Sequence, residues 1–260
     1  MKIGIIGLGF VGTAIKNAYG EQEVPMVLVD PAKGHNASFE DLLDTDAVFI
    51  AVPSPQGDDG SCDTSILETV LDKLKAVGYN NTIISKVTAP PTVYDALLQK
   101  YPNLVHAPEF LTADNASEDY INGTFAIIGG NDDYKEKAYY IIKVGQPNIN
   151  NLVFCDIGEA SLAKYTFYCG LATKVIFMIE MNDVCSTLGY DFDRLRLSIT
   201  MDNRVGNSHT KVPGPDGQYG FGGFCFPKDT SALLKFAEDL KVDLSVLQSA
   251  VNKNNAIRKN

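Results

Sequence analysis

Positive charge is what this sequence has least of. Lys and Arg number 22 against 32 Asp and Glu in 260 residues, a formal net charge of -10 at pH 7. Binding along a phosphate backbone needs clustered cations, so this balance argues against nucleic acid as a partner. A single phosphorylated ligand stays open, because a glycine-rich loop at a helix start can hold one phosphate on an acidic protein. Long apolar runs are also lacking. No stretch of the sequence approaches the length that crosses a bilayer, so no membrane partner is expected. The first twelve residues are apolar but glycine-rich, with no small-residue cleavage site behind them, unlike a secretory signal. The five cysteines, Cys62, Cys155, Cys169, Cys185 and Cys225, are odd in number and lack CxxC spacing. That speaks against a disulfide framework and against a zinc site; no metal is expected, and reduced thiols point to the cytoplasm. Repeats and low-complexity tracts are missing too.

What is present is an ordinary hydrophobic share, 45%, enough for a sizeable core. Lys2–Ile6, Val24–Val29, Ala47–Val52, Thr82–Ser85, Leu104–His106, Phe125–Ile128 and Leu152–Phe154 read as strands. Between them lie helical patterns: Val11–Tyr19, a segment through Leu67 and Leu74 capped by Asp63, another opened by Pro91, and Asp133–Lys143. Such alternation builds an α/β fold, a mainly parallel sheet with helices on both faces. At Asp156 the pattern changes. Asp156 and Glu159 fit a capping box before one long helix that runs to about Leu188 and is stopped by Gly189. At the usual rise per residue it is about 45 Å long. Leu162, Phe167, Phe177 and Met181 spread apolar surface around it, so it needs cover on several sides; a homodimer through residues 156–188 would supply that. The remainder reads as helical apart from a glycine-rich loop, Gly214–Gly223.

Gly7-Leu8-Gly9-Phe10-Val11-Gly12 is a GxGxxG run placed after a strand and before a helix, where dinucleotide binding requires it. Gly7 makes the turn, Gly9 admits the pyrophosphate to the backbone, and Gly12 lets helix and strand pack closely. Asp30 ends the second strand at nearly the distance expected for a ribose 2′-hydroxyl acceptor, which favours NAD over NADP; Lys33 tempers that preference. The chain is therefore expected to hold an N-terminal Rossmann-type dinucleotide-binding domain, residues 1–155. A long central helix and a small all-α dimerisation and catalytic domain, residues 156–260, follow.

Four clusters lie outside that site. Pro53-Ser54-Pro55, Ser85-Lys86-Val87-Thr88 and Pro108-Glu109-Phe110-Leu111 follow strands, at the sheet edge where ligands bind. Pro53, Ser54 and Thr88 are candidate cofactor contacts there, as is Lys228 of the fourth cluster, Gly222–Asp229. In that cluster Cys225 follows glycines and precedes a helix that Asp229 or Thr230 could cap. Lys228 and the helix start would favour thiolate. A cysteine beside a nicotinamide can trap an aldehyde, pass on hydride and leave a thioester, so that an alcohol becomes an acid in two oxidations. The other four cysteines have no such context and read as structural thiols.

GLGFVG, VPSP, SKVT, APEFL, EASLAKYTFYCGLATK, DNRVG and YGFGGFCFPKD, in this order, make the chain resemble the UDP-glucose/GDP-mannose 6-dehydrogenase family over almost its whole length. The resemblance implies NAD-dependent oxidation of the C6 hydroxymethyl of a nucleotide sugar to a carboxylate. It implies Cys225 as the nucleophile that carries the thiohemiacetal and thioester, and Lys164 as the oxyanion's cation. Thr88 and Asp229 would position water or tune the thiol, and Glu109 would serve in thioester hydrolysis. Glu109, Phe110, Leu111, Lys164, Arg204 and Gly222 would contact substrate. A lysine on an apolar helix face needs an anionic partner on physical grounds as well. Tyr168 stands where the family has Asn, Ala113 (with Asp114 beside it) where it has Glu, and Ile179 where Asn is common; the segment between Asp30 and the third strand is short. The chain stops at Asn260, as a short form without the family's C-terminal nucleotide-sugar domain would. Two other functions fit less of the pattern. One is a single-step hydroxyacid-type dehydrogenase, which needs no Cys225; the other is a non-catalytic NAD-binding module.

Overall fold

A computed structural model describes residues 1–112 and 115–258. In chain order the elements are β1 (Ile3–Ile6), α1 (Phe10–Glu21), β2 (Met26–Asp30), β3 (His35–Asn36), β4 (Ala47–Ile50), α2 (Ser65–Ala76), β5 (Thr82–Ser85) and α3 (Pro91–Lys100). Then come β6 (Leu104–His106), α4 (Ala116–Ile121), β7 (Phe125–Gly130), α5 (Asp132–Gly145), β8 (Asn151–Cys155), α6 (Ile157–Leu188), α7 (Phe192–Thr200), α8 (Cys225–Asp239) and α9 (Ser245–Ile257). Short 3-10 turns at Pro31–Lys33 and Glu40–Leu42 flank β3.

The strands form one sheet in the order β3-β2-β1-β4-β5-β6-β7-β8, parallel except at β2–β3 and β6–β7. β1, β4 and β5 are buried along their whole length. This is why they read as unbroken apolar runs: a sheet covered on both faces has no polar side. Period-two alternation splits them between two cores. Ile3, Ile5, Ala47 and Phe49 pack with Ile15 and Tyr19 of α1 and Ile142 of α5. Ile6, Val48 and Ile50 pack with Leu67 and Leu71 of α2 and Tyr94 of α3. The chain leaves β1 for β2 on one side and returns to β4 on the other. That reversal opens a crevice at the carboxyl ends of the strands, where such sheets bind ligands.

Local chemistry explains the element ends. Pro91 opens α3, where its missing N–H removes no helical bond. The Asp63 carboxylate accepts the Ser65 N–H at 2.9 Å, although Thr64 is the residue at the cap of α2. Asp156 N–H donates to Glu159 Oε2 at 2.9 Å, one half of the expected capping box. Gly189, with φ +70°, ends the long helix as expected. The strand β3, the helix α4 and the antiparallel placement of β7 were not foreseen. At Gly129 of β7 a Cβ would come within 2.6 Å of the Asp156 carbonyl and 2.8 Å of Ala160, so glycine lets the start of α6 lie on the sheet.

Two compact units result: residues 1–57 with 62–164, and residues 58–61 with 165–260. In the second, Ala172, Ile176 and Ile179 of α6 pack on Phe221 and Ala250, and Met178 and Cys185 pack on Phe192. Its irregular segment is longer than the Gly214–Gly223 loop expected, running from the end of α7 to Phe224. Side chains replace the missing ladder: Lys174 donates to the carbonyls of Val205 (2.8 Å) and Gly206 (3.0 Å), and buried Arg196 donates to Asn207 Oδ1 at 3.0 Å.

Helix α6 corrects one expectation. By length and composition alone its 32 residues could cross a membrane, with mean hydropathy 1.2 in the most apolar window, of which 44% is buried within the protein. Leu162, Phe167, Phe177, Val184 and Leu188 of this helix are exposed.

Candidate active site

The glycine-rich loop is shaped by backbone contact. Gly7 has φ +86°, and a Cβ there would stand 2.8 Å from the Ala51 carbonyl oxygen and 2.9 Å from Val52 N. A Cβ on Gly12 would run into the Gly7 carbonyl. Gly9 is the exposed cap of α1, makes no side-chain capping bond, and among the described residues no heavy atom beyond its neighbours lies within 4 Å of its Cβ position. Unpaired N–H groups at a helix start beside open space fit an approaching pyrophosphate. Phe10 is exposed, and Val11 packs on the first core. The two residues expected near the ribose hold the loop itself: Asp30 Oδ2 accepts the Leu8 N–H at 2.7 Å, and the Lys33 ammonium reaches the Leu8 carbonyl. After β4, Pro53 is exposed and Ser54 half-buried.

After β5 and β6 the sheet edge carries a buried polar cluster. Ser85 pairs with His106 across the two strands, which brings the next residues of both together. Lys86 Nζ lies 3.1 Å from Glu109 Oε2, with side chains only 3% and 9% exposed. Glu109 Oε1 accepts the Phe110 N–H at 3.1 Å. Lys164, buried on α6, reaches the Glu109 backbone carbonyl and lies 5.3 Å from the centre of the Phe110 ring. One cation thus meets the Glu109 carboxylate and a second its backbone carbonyl, in a buried cluster where charges must be paired. Beneath them His106 stacks on Tyr94 with ring centres 4.1 Å apart, its Nδ1 3.1 Å from the Ser85 carbonyl. Burial, with Lys86 and Lys164 nearby, drives the His106 pKa down to about 3, so the ring is neutral. Leu111 is buried in the first core; Ala113 and Asp114 lie outside the described residues.

The Thr88 loop is fixed by three successive carbonyls. Tyr94 Oη donates to Val87 O at 2.5 Å, Cys62 Sγ to Thr88 O at 3.2 Å, and Ser161 Oγ to Ala89 O. Thr88 itself is half-buried. The sequence singled out Thr88, Glu109 and Lys164, and all three belong to the first unit. It missed Lys86, His106, Tyr94 and Ser161. Lys86 had a signal, a cation directly after a buried strand; the others show nothing in sequence that marks them.

In the second unit Cys225 is half-buried and is itself the first residue of α8, with Phe224 at the cap. This corrects the expectation that Asp229 or Thr230 caps that helix. Both are buried inside it: the Asp229 carboxylate binds Lys228 Nζ at 2.6 Å, and Thr230 Oγ1 donates to the Phe226 carbonyl at 2.7 Å. Lys228 therefore directs its charge to Asp229. Burial, with Asp229 adding to it, pushes the Cys169 thiol up to about 12, so this second cysteine is inert; its Sγ donates to the Asp229 carbonyl at 3.7 Å. Tyr168, at the family's Asn position, is buried against Phe226, ring centres 5.7 Å apart. Arg204 is 90% exposed and is bound to Asp202 of its own loop, Nη2 to Oδ2 2.6 Å. Gly222 lies against the Arg258 guanidinium.

An open, mainly parallel sheet with a glycine-rich loop at its reversal point defines a Rossmann-type dinucleotide-binding protein. Residues 35–144 match the NAD binding domain, and residues 158–256 the central domain, of the UDP-glucose/GDP-mannose dehydrogenase family. Together the two matches take in most of the chain, and the chain belongs to that family. It is 33% identical over 225 residues to a UDP-glucose 6-dehydrogenase of Rickettsia bellii, covering 83% of this chain and 50% of that protein. A UDP-glucose dehydrogenase structure from Pyrobaculum islandicum superposes with a TM-score of 0.82 at 25% identity, covering 98% of this chain and 68% of that one. A 3-hydroxyisobutyrate dehydrogenase from Mycobacterium tuberculosis shares the fold, with a TM-score of 0.76 at 16% identity over 96% of this chain and 91% of that one. The chain spans about half the length of the curated Rickettsia relatives it matches.

Proposed function

We propose that the chain carries out NAD-dependent oxidation of a nucleotide sugar of the UDP-glucose kind, taking its C6 hydroxymethyl to the carboxylate. The observation that carries this is the position of Cys225 as the first residue of α8, within the stretch matched to the family's central domain. A helix start favours negative charge on sulfur, and thiolate is the nucleophilic form.

The glycine-rich loop with Asp30 and Lys33 would hold NAD, aided by Pro53, Ser54, Thr88 and Lys228. When bound, NAD supplies the hydride acceptor for both oxidations. Cys225 sulfur adds to the carbon of the aldehyde produced by the first oxidation, giving a thiohemiacetal whose oxidation leaves a thioester. The Lys164 ammonium stabilises the oxyanion formed on that carbon. Glu109 accepts a proton from the water that cleaves the thioester, which releases the acid and returns the thiol. Thr88 positions that water, and Asp229 fixes Lys228 beside the start of α8. Phe110, Leu111, Gly222 and Arg204 contact substrate. The exposed apolar residues of α6 support a homodimer through that helix, and five thiols without a disulfide suit a reducing compartment.

The test is to count NADH formed per sugar consumed over a panel of UDP- and GDP-sugars. Two NADH per sugar supports the proposal. One per sugar, with aldehyde or ketone as the product, replaces it with a single-step dehydrogenase. None on any sugar refutes turnover by this chain. Sedimentation as a monomer at micromolar concentration would remove the dimer.

A further inference from the structure

The first turn of α8 carries Cys225, yet it starts without the device that usually fixes a helix start. Phe224 at the cap is exposed and offers no capping oxygen. Gly222 and Gly223, which lead into the helix, add no side chain to hold the chain, and Gly223 has φ +75°. The second unit supplies a hub around the next residue instead. Phe226 is met by His209 (ring centres 5.5 Å apart), Tyr168 (5.7 Å) and Phe221 (6.0 Å). These rings come from the segment after α7, from α6 and from the glycine-rich loop. All three contacts are tilted or edge-on, the arrangement that aromatic rings favour.

Tyr168 is carried by a helix, but Phe221 lies in irregular backbone and is held by a side chain of α9. Its N–H donates to Asn254 Oδ1 at 2.7 Å, and both residues are buried. A buried N–H needs an acceptor, so this bond fixes where Phe221 sits. The Phe221 ring then lies in the core with Ala172, Ile176, Ile179 and Ala250, against which Phe226 packs. Contact is continuous from α9 to the helix start: Asn254 to Phe221, Phe221 to Phe226, and Phe226 next in the chain to Cys225. We propose that Asn254 is a positioning residue for Cys225: by holding the Phe221 N–H it seats the Phe221 ring against Phe226 and fixes the uncapped first turn of α8. The inference rests on the proposed role of Cys225 and adds the residue of α9 that aims it.

Asn254→Leu keeps the size of the side chain and removes the acceptor; Asn254→Asp restores an acceptor oxygen. Phe221→Leu keeps the backbone bond and removes the ring. Two measurements decide. The first is the ratio of acid to aldehyde formed from the nucleotide sugar. Only the second oxidation needs the sulfur, so a displaced Cys225 lets aldehyde escape. In Asn254→Leu the ratio should fall by about ten- to hundredfold, the scale of a small misplacement of a reacting group, and Asn254→Asp should recover it. A loss of folded protein lowers both products together and leaves the ratio where it was. The second measurement needs no turnover: amide hydrogen exchange over residues 222–228. In Asn254→Leu it should quicken about tenfold, the factor that goes with one lost hydrogen bond, while α7 of the same unit keeps its rate. Phe221→Leu should have a similar effect, and the double variant should go little further, because both act through one path. An unchanged ratio in Asn254→Leu, or exchange that quickens across the whole unit or at Phe221 alone, overturns the assignment. Absence of turnover by the parent chain on every sugar would refute the proposed function, while the exchange result still decides whether Asn254 fixes the start of α8.

Discussion

Two glycine-rich segments in this chain each lead into a helix, and they are built in opposite ways. Around Gly7 and Gly12 the obstacles to a side chain are backbone atoms: the Ala51 carbonyl and Val52 N for one, the Gly7 carbonyl for the other. Around Gly220 and Gly222 the obstacles are side chains of α9 and of Arg258, which follows it. A Cβ on Gly220 would stand 2.5 Å from Asn254 Oδ1, and one on Gly222 would meet the Arg258 guanidinium. Asn254 Oδ1 also accepts the Phe221 N–H at 2.7 Å, and Arg258 Nη1 donates to the Gly220 carbonyl at 3.1 Å. The first loop is thus fixed by the packing of a strand on a helix, and the second by two removable clamps. The residues at the helix starts differ as well: Phe10 is an exposed ring, whereas Cys225 is a half-buried thiol.

The difference between those two helix starts should give the largest effect. Cys225→Ala is expected to abolish acid formation and leave turnover that stops at the aldehyde, because no sulfur is available to carry the second oxidation. Phe10→Ala should leave the ratio of acid to aldehyde unchanged. Product analysis by mass spectrometry with both variants checks this. Full two-step turnover in Cys225→Ala would falsify the covalent mechanism.

Next in size is the backbone-defined loop. Gly12→Ala forces a Cβ into the Gly7 carbonyl, and neither atom can yield unless α1 shifts on the sheet. A loss of about 1–3 kcal/mol in stability is expected, together with loss of measurable NAD binding, since the same shift moves the N–H groups proposed to face the pyrophosphate. Chemical denaturation and calorimetric titration of NAD would show it. No second substitution in a side chain should restore binding; rescue by one would place this loop in the same class as the other.

How far the sequence reveals each region follows from the same contrast. The first loop is legible because its glycines answer to strand and helix neighbours that recur at fixed spacing. The buried strands are legible because two-sided cover leaves an unbroken apolar signature, and the long helix because Asp156, Glu159 and Gly189 mark its ends. The start of α8 was misplaced for a physical reason. Asp229 and Thr230 are cap-forming residue types, but here they are buried in the helix and bonded to Lys228 and to the Phe226 carbonyl, while the true cap is Phe224, which carries no capping oxygen. Lys86 carries no legible role in the sequence, because its partner Glu109 lies on the neighbouring strand's loop and no local pattern joins them. His106 hides for a similar reason: in sequence it is one more residue of a strand, and only the fold places it under two lysines.

Asp30 tests whether the first loop depends on side chains at all. Its carboxylate accepts the Leu8 N–H at 2.7 Å and is also the group expected to discriminate against a 2′-phosphate. Asp30→Asn keeps the shape and removes the charge. NAD affinity should fall by about 1.5–3 kcal/mol, the range for hydrogen bonds to charged groups, and NADP should lose far less, so the preference narrows. Calorimetric titration of both cofactors against both proteins measures the change in preference directly. Equal losses for the two would show that Asp30 serves only to hold the loop.

The smallest effect is expected where an obstacle can be moved. In Gly222→Ala the new methyl group meets the far end of Arg258, a flexible side chain that is bound to the Gly220 carbonyl and to the Asp216 carboxylate. Arg258 can swing aside at the expense of those contacts. The ion pair with Asp216, whose side chain is 42% exposed, is worth little in water. A loss of about 0.5–1 kcal/mol is expected, and a similar loss for Arg258→Ala, which removes the clamp outright. The double variant separates this from a backbone cause. The three atoms nearest the new methyl all belong to the Arg258 guanidinium, so Gly222→Ala should be nearly neutral in the Arg258→Ala background, a coupling of about the full single-variant loss. The thermal midpoints of the four proteins, measured under one condition, give that coupling. Additive losses would mean that Gly222 is required by its own backbone, as Gly220 with φ +92° already is, and the contrast between the two loops would fall.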